Sequence, residues 1–174
     1  LMSVGCSGAY DNNTTINASL VSNNRKAGIY VYGQNRYRSG YDHDGDGFTE
    51  LPVISSQSVG MRSFFRTGAY SRITAQYHHI DEYRRGGDLL KQPPHEAFVA
   101  EQTDHAIDGG SLSFDISSAD RSNRFNAYAS FQNTARKSYY GSKQDLDAYG
   151  TTHDLTLAAG MQYAVSYTHL RAHE

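Results

Sequence analysis

The dominant hydrophobic period along the chain is two. In "AGIYVYGQNRYR", residues 27–38, Ala27, Ile29, Val31 and Tyr37 share one face, and Tyr30, Tyr32, Gln34, Arg36 and Arg38 share the other. Successive side chains of a β-strand point to opposite sides, so this alternation predicts a strand with two different surroundings. The pattern returns with Val59, Met61 and Phe65 against Arg62 and Arg66, and with Ile73, Ala75 and Tyr77 against Arg72, Thr74, Gln76 and His78. It returns again with Leu112, Phe114 and Ile116 against Ser111, Ser113 and Asp115. Phe125, Ala127, Ala129 and Phe131 then oppose Asn126, Tyr128, Ser130 and Gln132, and Leu155, Leu157, Ala159 and Met161 oppose Asp154, Thr156 and Gln162. Two weaker strands near 2–9 and 15–22 complete an all-β, antiparallel, up-and-down meander of about eight strands.

The connections alternate as well. "SNNRK", "RTGAY" and "SSADRSN" are short turns rich in Asn, Gly, Asp and Ser, whereas 39–56, 85–104 and 138–150 are long and polar. Long connections at one end and short ones at the other predict a transmembrane β-barrel, with long extracellular loops and short periplasmic turns. The charges fit the same expectation. No Lys, Arg, Asp or Glu falls on the apolar face between Ala27 and Tyr37, Val59 and Phe65, Ile73 and His79, Gly110 and Ile116, Phe125 and Ala135, or Leu155 and Tyr163. Arg36, Arg62, Arg72, Asp115, Arg136 and Asp154 all fall on the opposite face. An Arg or Lys on the lipid side near the bilayer midplane costs about 2–4 kcal/mol, whereas one in a barrel lumen is tolerated. A soluble sheet with one wet face alternates in the same way.

Composition narrows the classes further. With 174 residues and a net charge of -2, the chain suits one domain and lacks the basic excess of a nucleic-acid binder. A single cysteine, Cys6, excludes an internal disulfide framework. No apolar run is long enough for a membrane-spanning helix, and mean hydropathy is -0.65, low for a large dry core. No signal peptide opens the chain, which begins with Leu1. The last ten residues, 165–174, drop the alternation and resemble translated adapter read-through. Residues 1–164 are therefore read as the structural unit and 165–174 as a non-native tail, whose His169 and His173 carry no metal site.

The strongest chemical motif is "YDHDGDGFTE", 41–50. A calcium-binding helix–loop–helix places oxygen ligands at positions 1, 3, 5, 7, 9 and 12 with glycine at 6. Asp42, Asp44 and Asp46 fill 1, 3 and 5, Gly47 supplies the turn, the Phe48 carbonyl falls at 7 and Glu50 at 9. Position 12 is Val53, which offers no side-chain ligand, and Pro52 opposes a following helix. The expectation is a Ca²⁺ site formed by Asp42, Asp44, Asp46 and Glu50 on a loop between strands. A solvated acidic turn is the alternative.

A second long segment, "EYRRGGDLLKQPPHEAFVAEQTDH", offers Arg84, Arg85, Asp88, His95 and Glu96 as contacts to an anionic or chelate ligand, or as charges that fasten the loop. His78 and His79 point to opposite faces of one strand and cannot share a metal as neighbours. No Ser-His-Asp or Cys-His set and no phosphate-cradling glycine loop is spelled out, so an enzyme is not expected.

Taken together, "YGQNRYRSGYDHDGDGFTELP", "YHHIDEYRRGGDLLKQPPHEAFVAEQTDH", "AYASFQNTARKSYYG" and "AYGTTHDLTLAAGMQY" resemble the early barrel of TonB-dependent outer-membrane receptors. The resemblance implies a fragment of a larger barrel without its plug domain, located in the bacterial outer membrane. It implies uptake of a scarce nutrient such as an iron chelate or cobalamin. The implied partners are outer-membrane lipid, the TonB complex acting through the missing plug, and a small-molecule chelate. Two alternatives stand beside it: a small complete outer-membrane barrel serving as adhesin or anchor, and a soluble, calcium-dependent β-sheet binding module.

Overall fold

The structure, a computed structural model, describes residues 2–5, 11–143 and 145–166. The alternating segments form β1 (Met2–Gly5), β2 (Asp11–Val21), β3 (Ala27–Arg38), β4 (Thr49–Phe65), β5 (Ser71–Gly87), β6 (Val99–Ser117), β7 (Asn123–Ser142) and β8 (Tyr149–Val165). They make one eight-stranded sheet in the order β1-β2-β3-β4-β5-β6-β7-β8, every neighbouring pair antiparallel. Short 3-10 turns at Pro94–Glu96 and Leu146–Ala148 are the only helical pieces among the described residues.

The expected barrel is not formed. Among the described residues, β8 pairs with β7 alone and β1 with β2 alone, so the sheet is open. Strand length supplies a physical reason. Closure needs two edges that satisfy each other's backbone groups. Among the described residues, the 4 of β1 would leave most of the 17-residue β8 edge unpaired. The outer-membrane location rested on a closed barrel, and the open sheet removes that basis. No helix among the described residues is long and apolar enough to cross a membrane.

The connections also differ from expectation. Thr49 already belongs to β4, β5 runs to Gly87, β6 begins at Val99, and β7 and β8 extend to Ser142 and from Tyr149. Much of each supposed long loop is therefore ladder. Polar residues continue a strand because the pairing is made by the backbone, whatever the side chains. Pro52, which has no N–H to donate, sits where the β4–β5 register shifts between Thr49 and Val53. Residues 167–174, most of the expected tail, lie outside the described residues. Val165 closes β8.

Register is fixed by aromatic rings laid over glycines on the neighbouring strand. Tyr32 covers Gly60, Phe131 covers Gly110 and Tyr128 covers Gly160, each directly opposite its glycine. The sheet is a single layer, whereas a stable domain ordinarily packs two. Its apolar face, with Ile29, Val59, Phe65, Leu112 and Leu155, is exposed; on the edge strand Leu157 and Met161 are 71% and 78% exposed. The buried cluster sits at the opposite, long-loop end. There Ala97, Ala100 and Tyr139 pack together, with Ala148 against them.

Candidate metal centre

The acidic loop is a tight excursion between β3 and β4. Reciprocal backbone bonds between Tyr41 and Leu51, 3.0 and 3.2 Å, close its base. Gly45 and Gly47 have φ of +77° and +89°, a region that L side chains rarely adopt, and they reverse the chain twice within three residues. The aspartates brace the loop from inside. Gly45 N–H and Gly47 N–H donate to the two carboxylate oxygens of Asp42 at 2.7 and 2.9 Å. Phe48 N–H donates to Asp46 at 2.8 Å, and His43 N–H donates to Glu50 at 2.8 Å.

These turns bring one oxygen each from Asp42, Asp44, Asp46 and Glu50 within 4.8 Å of one another, with Asp42 half-buried and the others exposed. Four converging carboxylates repel one another, and a cation among them relieves that repulsion. The cluster is therefore able to hold a metal ion. It is not a helix–loop–helix: β3 leads in, β4 leads out, and Val53 lies in the ladder opposite Arg85.

The second set of expected residues is spread over separate jobs. Arg84 and Arg85 project from opposite faces of β5. Arg84 is exposed and donates to Glu82 at 2.9 Å. Arg85 is buried, and its guanidinium donates to the carbonyl oxygens of Gly86 and Asp88, the latter at 3.1 Å. The Asp88 carboxylate accepts from Val99 N–H at 3.0 Å and Phe98 N–H at 3.2 Å, closing the loop 88–98. His95 Nδ1 meets the Tyr149 hydroxyl at 2.8 Å. Glu96 lies exposed in the 3-10 turn. The five are not brought together into one cluster. Arg85, Asp88 and His95 fasten the loop to β5, β6 and β8, while Arg84 pairs within β5.

The loops are nevertheless joined. Thr49 Oγ1 donates to Gly87 O at 2.9 Å and accepts from Gly87 N–H at 3.1 Å, tying the exit of the acidic loop to the entry of 88–98. Lys143 N–H donates to Phe98 O at 3.0 Å, tying 88–98 to the connection after β7.

A further constellation lies mid-sheet, on the face that carries Val59 and Met61. His79 Nδ1 is 2.8 Å from Asp108 and Nε2 is 3.0 Å from Asp81. The Tyr77 hydroxyl donates to Asp108 at 2.6 Å. Only cross-strand register reveals this set, since Asp108 lies on β6 directly opposite His79. Both ring nitrogens face carboxylates, so the imidazolium, which donates from both, is favoured. The hydrogen bonds to Asp108 first and Asp81 second raise the His79 pKa above its ordinary 6.5. A raised folded-state pKa gives stability that is complete below 6.5 and is lost as pH rises through the folded value. The urea midpoint is thus expected to decline above pH 6.5, and Asp108→Asn should shrink that decline. A variant profile that falls as steeply as the parent's would show that another group titrates.

No protein-family model matches the chain, and neither a curated protein nor a solved structure shows significant similarity to it. The resemblance to TonB-dependent receptors therefore finds no support in these comparisons, and the open sheet contradicts the barrel it implied. The receptor and nutrient-transport roles fall with it.

Proposed function

We propose that the chain is a cation-dependent β-sheet binding module, with Ca²⁺ as the cation at the 42–50 loop. The observation that carries this reading is the convergence of four carboxylate oxygens within 4.8 Å on a loop held between two paired strands. An all-carboxylate donor set suits a hard cation and offers no nitrogen or sulfur to a soft one. Calcium takes six to eight oxygens in flexible geometry, whereas magnesium demands a near-ideal octahedron and gives up its water reluctantly. A loop with mostly exposed carboxylates suits the former.

The cation's role is to stiffen a surface. The acidic loop is tied through Thr49 and Gly87 to the loop 88–98, and that loop is tied through Phe98 to Lys143. A rigid acidic loop therefore presents a rigid end of the sheet. Calcium takes six to eight oxygens, so one oxygen from each of four carboxylates would leave positions for the oxygens of water or a ligand. The role is binding; none of these residues is assigned a catalytic part.

Calorimetric titration of the chain with Ca²⁺, and separately with Mg²⁺, tests the reading. Saturable Ca²⁺ binding is expected, with Mg²⁺ weaker by about tenfold or more. Asp44→Ala combined with Asp46→Ala should lower Ca²⁺ affinity by at least about tenfold and speed protease cleavage within 39–48. Identical heats for parent and double variant would remove calcium from this loop.

A further inference from the structure

The short-turn end of the sheet has a charge character of its own. Arg25, Lys26, Arg66, Arg72, Arg121 and Arg124 surround its turns, while among the described residues the carboxylates there are Asp115 and Asp120. Between the turn after β4 and the turn after β6 lies a groove of about 560 Å³ lined by Arg66, Arg72, Arg121 and Arg124, with Tyr70 and a single carboxylate, Asp115. Asp115 is already engaged. It accepts from Asn126 at 3.0 Å and from Arg124 at 3.5 Å, and it lies opposite Arg72 in the ladder. Arg66, Arg72 and Arg121 form no ion pair among the described residues.

The backbone adds a second observation. Turns 22–27 and 118–123 are built alike. Ser22 N–H donates to Ala27 O at 2.9 Å, and Ser118 N–H donates to Asn123 O at 2.9 Å. Arg25 N–H donates to Ser22 O at 2.8 Å, and Arg121 N–H donates to Ser118 O at 3.0 Å. In each turn the serine hydroxyl accepts at 3.0 Å from the backbone N–H five residues on. The fourth residue is an arginine with positive φ, 54° at Arg25 and 58° at Arg121. Glycine or asparagine occupies that conformation with least strain, and arginine does not. Folding alone does not call for arginine at either place. Of the two, only Arg121 lines the groove.

We propose that this groove binds a soluble oligophosphate, a small ligand with two or more adjacent phosphate groups. Guanidinium forks match phosphate oxygens in pairs, and four of them facing one carboxylate leave an excess of positive charge for a polyanion to neutralise. A single phosphate engages fewer forks and binds more weakly. The groove lies at the opposite end of the sheet from the acidic loop, so this binding is independent of the cation.

The two alike turns provide a matched test. The full chain is titrated calorimetrically with tripolyphosphate and with orthophosphate, divalent cations being omitted so that the acidic loop plays no part. Tripolyphosphate is expected to bind about tenfold or more tighter than orthophosphate, and more weakly as salt is raised. Arg121→Gly should weaken it about tenfold without lowering the unfolding midpoint, because glycine relieves the positive-φ strain. Arg25→Gly relieves the same strain outside the groove and should leave affinity unchanged. Arg72→Gln, within a strand of ordinary backbone, should weaken binding to a similar extent. Equal losses in the Arg25 and Arg121 variants would mean diffuse charge attraction and overturn the site. So would no tripolyphosphate binding, or tighter binding of a single-stranded oligonucleotide than of tripolyphosphate.

Discussion

Gly87→Ala is expected to destabilise the sheet by about 3 kcal/mol or more, and to loosen two loops at once. Gly87 has a φ of +99°, and a Cβ there would lie 2.1 Å from Val99 O and 2.9 Å from the Ala100 Cα. Both near atoms are backbone of the adjoining strand, so no side chain is able to rotate away. The conformational cost alone is about 1–3 kcal/mol, and the overlap forces β5 and β6 apart where they close the loop 88–98. Gly45→Ala and Gly47→Ala separate the two causes. Their φ values are also positive, but nothing lies within 4 Å of either Cβ, so each should cost about 1 kcal/mol. Urea titration of the three variants reads the difference. Three equal losses would mean that the Val99 contact contributes nothing. Because both backbone groups of Gly87 are bonded to Thr49 Oγ1, and Thr49 directly precedes Glu50, the Gly87 variant should also weaken cation binding at the acidic loop.

Some of this molecule is written locally and some is not. The strand Ala27–Arg38 begins and ends where its alternation does, because pattern and backbone pairing act on the same residues. The acidic cluster is legible for a similar reason. Its four carboxylates and both positive-φ glycines lie within nine residues, 42–50, so no distant contact is needed to assemble it. Openness of the sheet is different in kind. It depends on whether β8 meets β1, and the alternation inside each strand says nothing about that. Strand length misled for another reason. Apolar alternation stops near Val59 in β4, yet the ladder runs on through Ser58 to Ser55, whose backbones pair as well as any. Two groups of residues gain their meaning only from register. His79 reads as a strand histidine until Asp108 is placed opposite it, and Arg85 reads as a solvated loop charge until the loop folds over it.

Tyr139 tests how the loop platform is held, and its two substitutions should act in opposite directions. The residue is 1% exposed and packs with Ala97 and Ala100, and its ring meets Tyr149 edge-on at 4.8 Å. Ala97 belongs to the loop region and Ala148 to the turn before β8, so one ring pins both connections. Tyr139→Ala removes the largest apolar member of the only buried cluster among the described residues, and should cost about 3–5 kcal/mol. Yet the hydroxyl is buried with no hydrogen-bond partner. An unsatisfied buried polar group costs about 1–3 kcal/mol, so Tyr139→Phe keeps the ring, removes that cost and should stabilise by about 1 kcal/mol. Denaturant midpoints check the signs, and protease cleavage within 88–98 should rise only in the alanine variant. A phenylalanine variant less stable than the parent would mean that the hydroxyl has a partner in solution, and that the platform is held by a polar contact as well as by the ring.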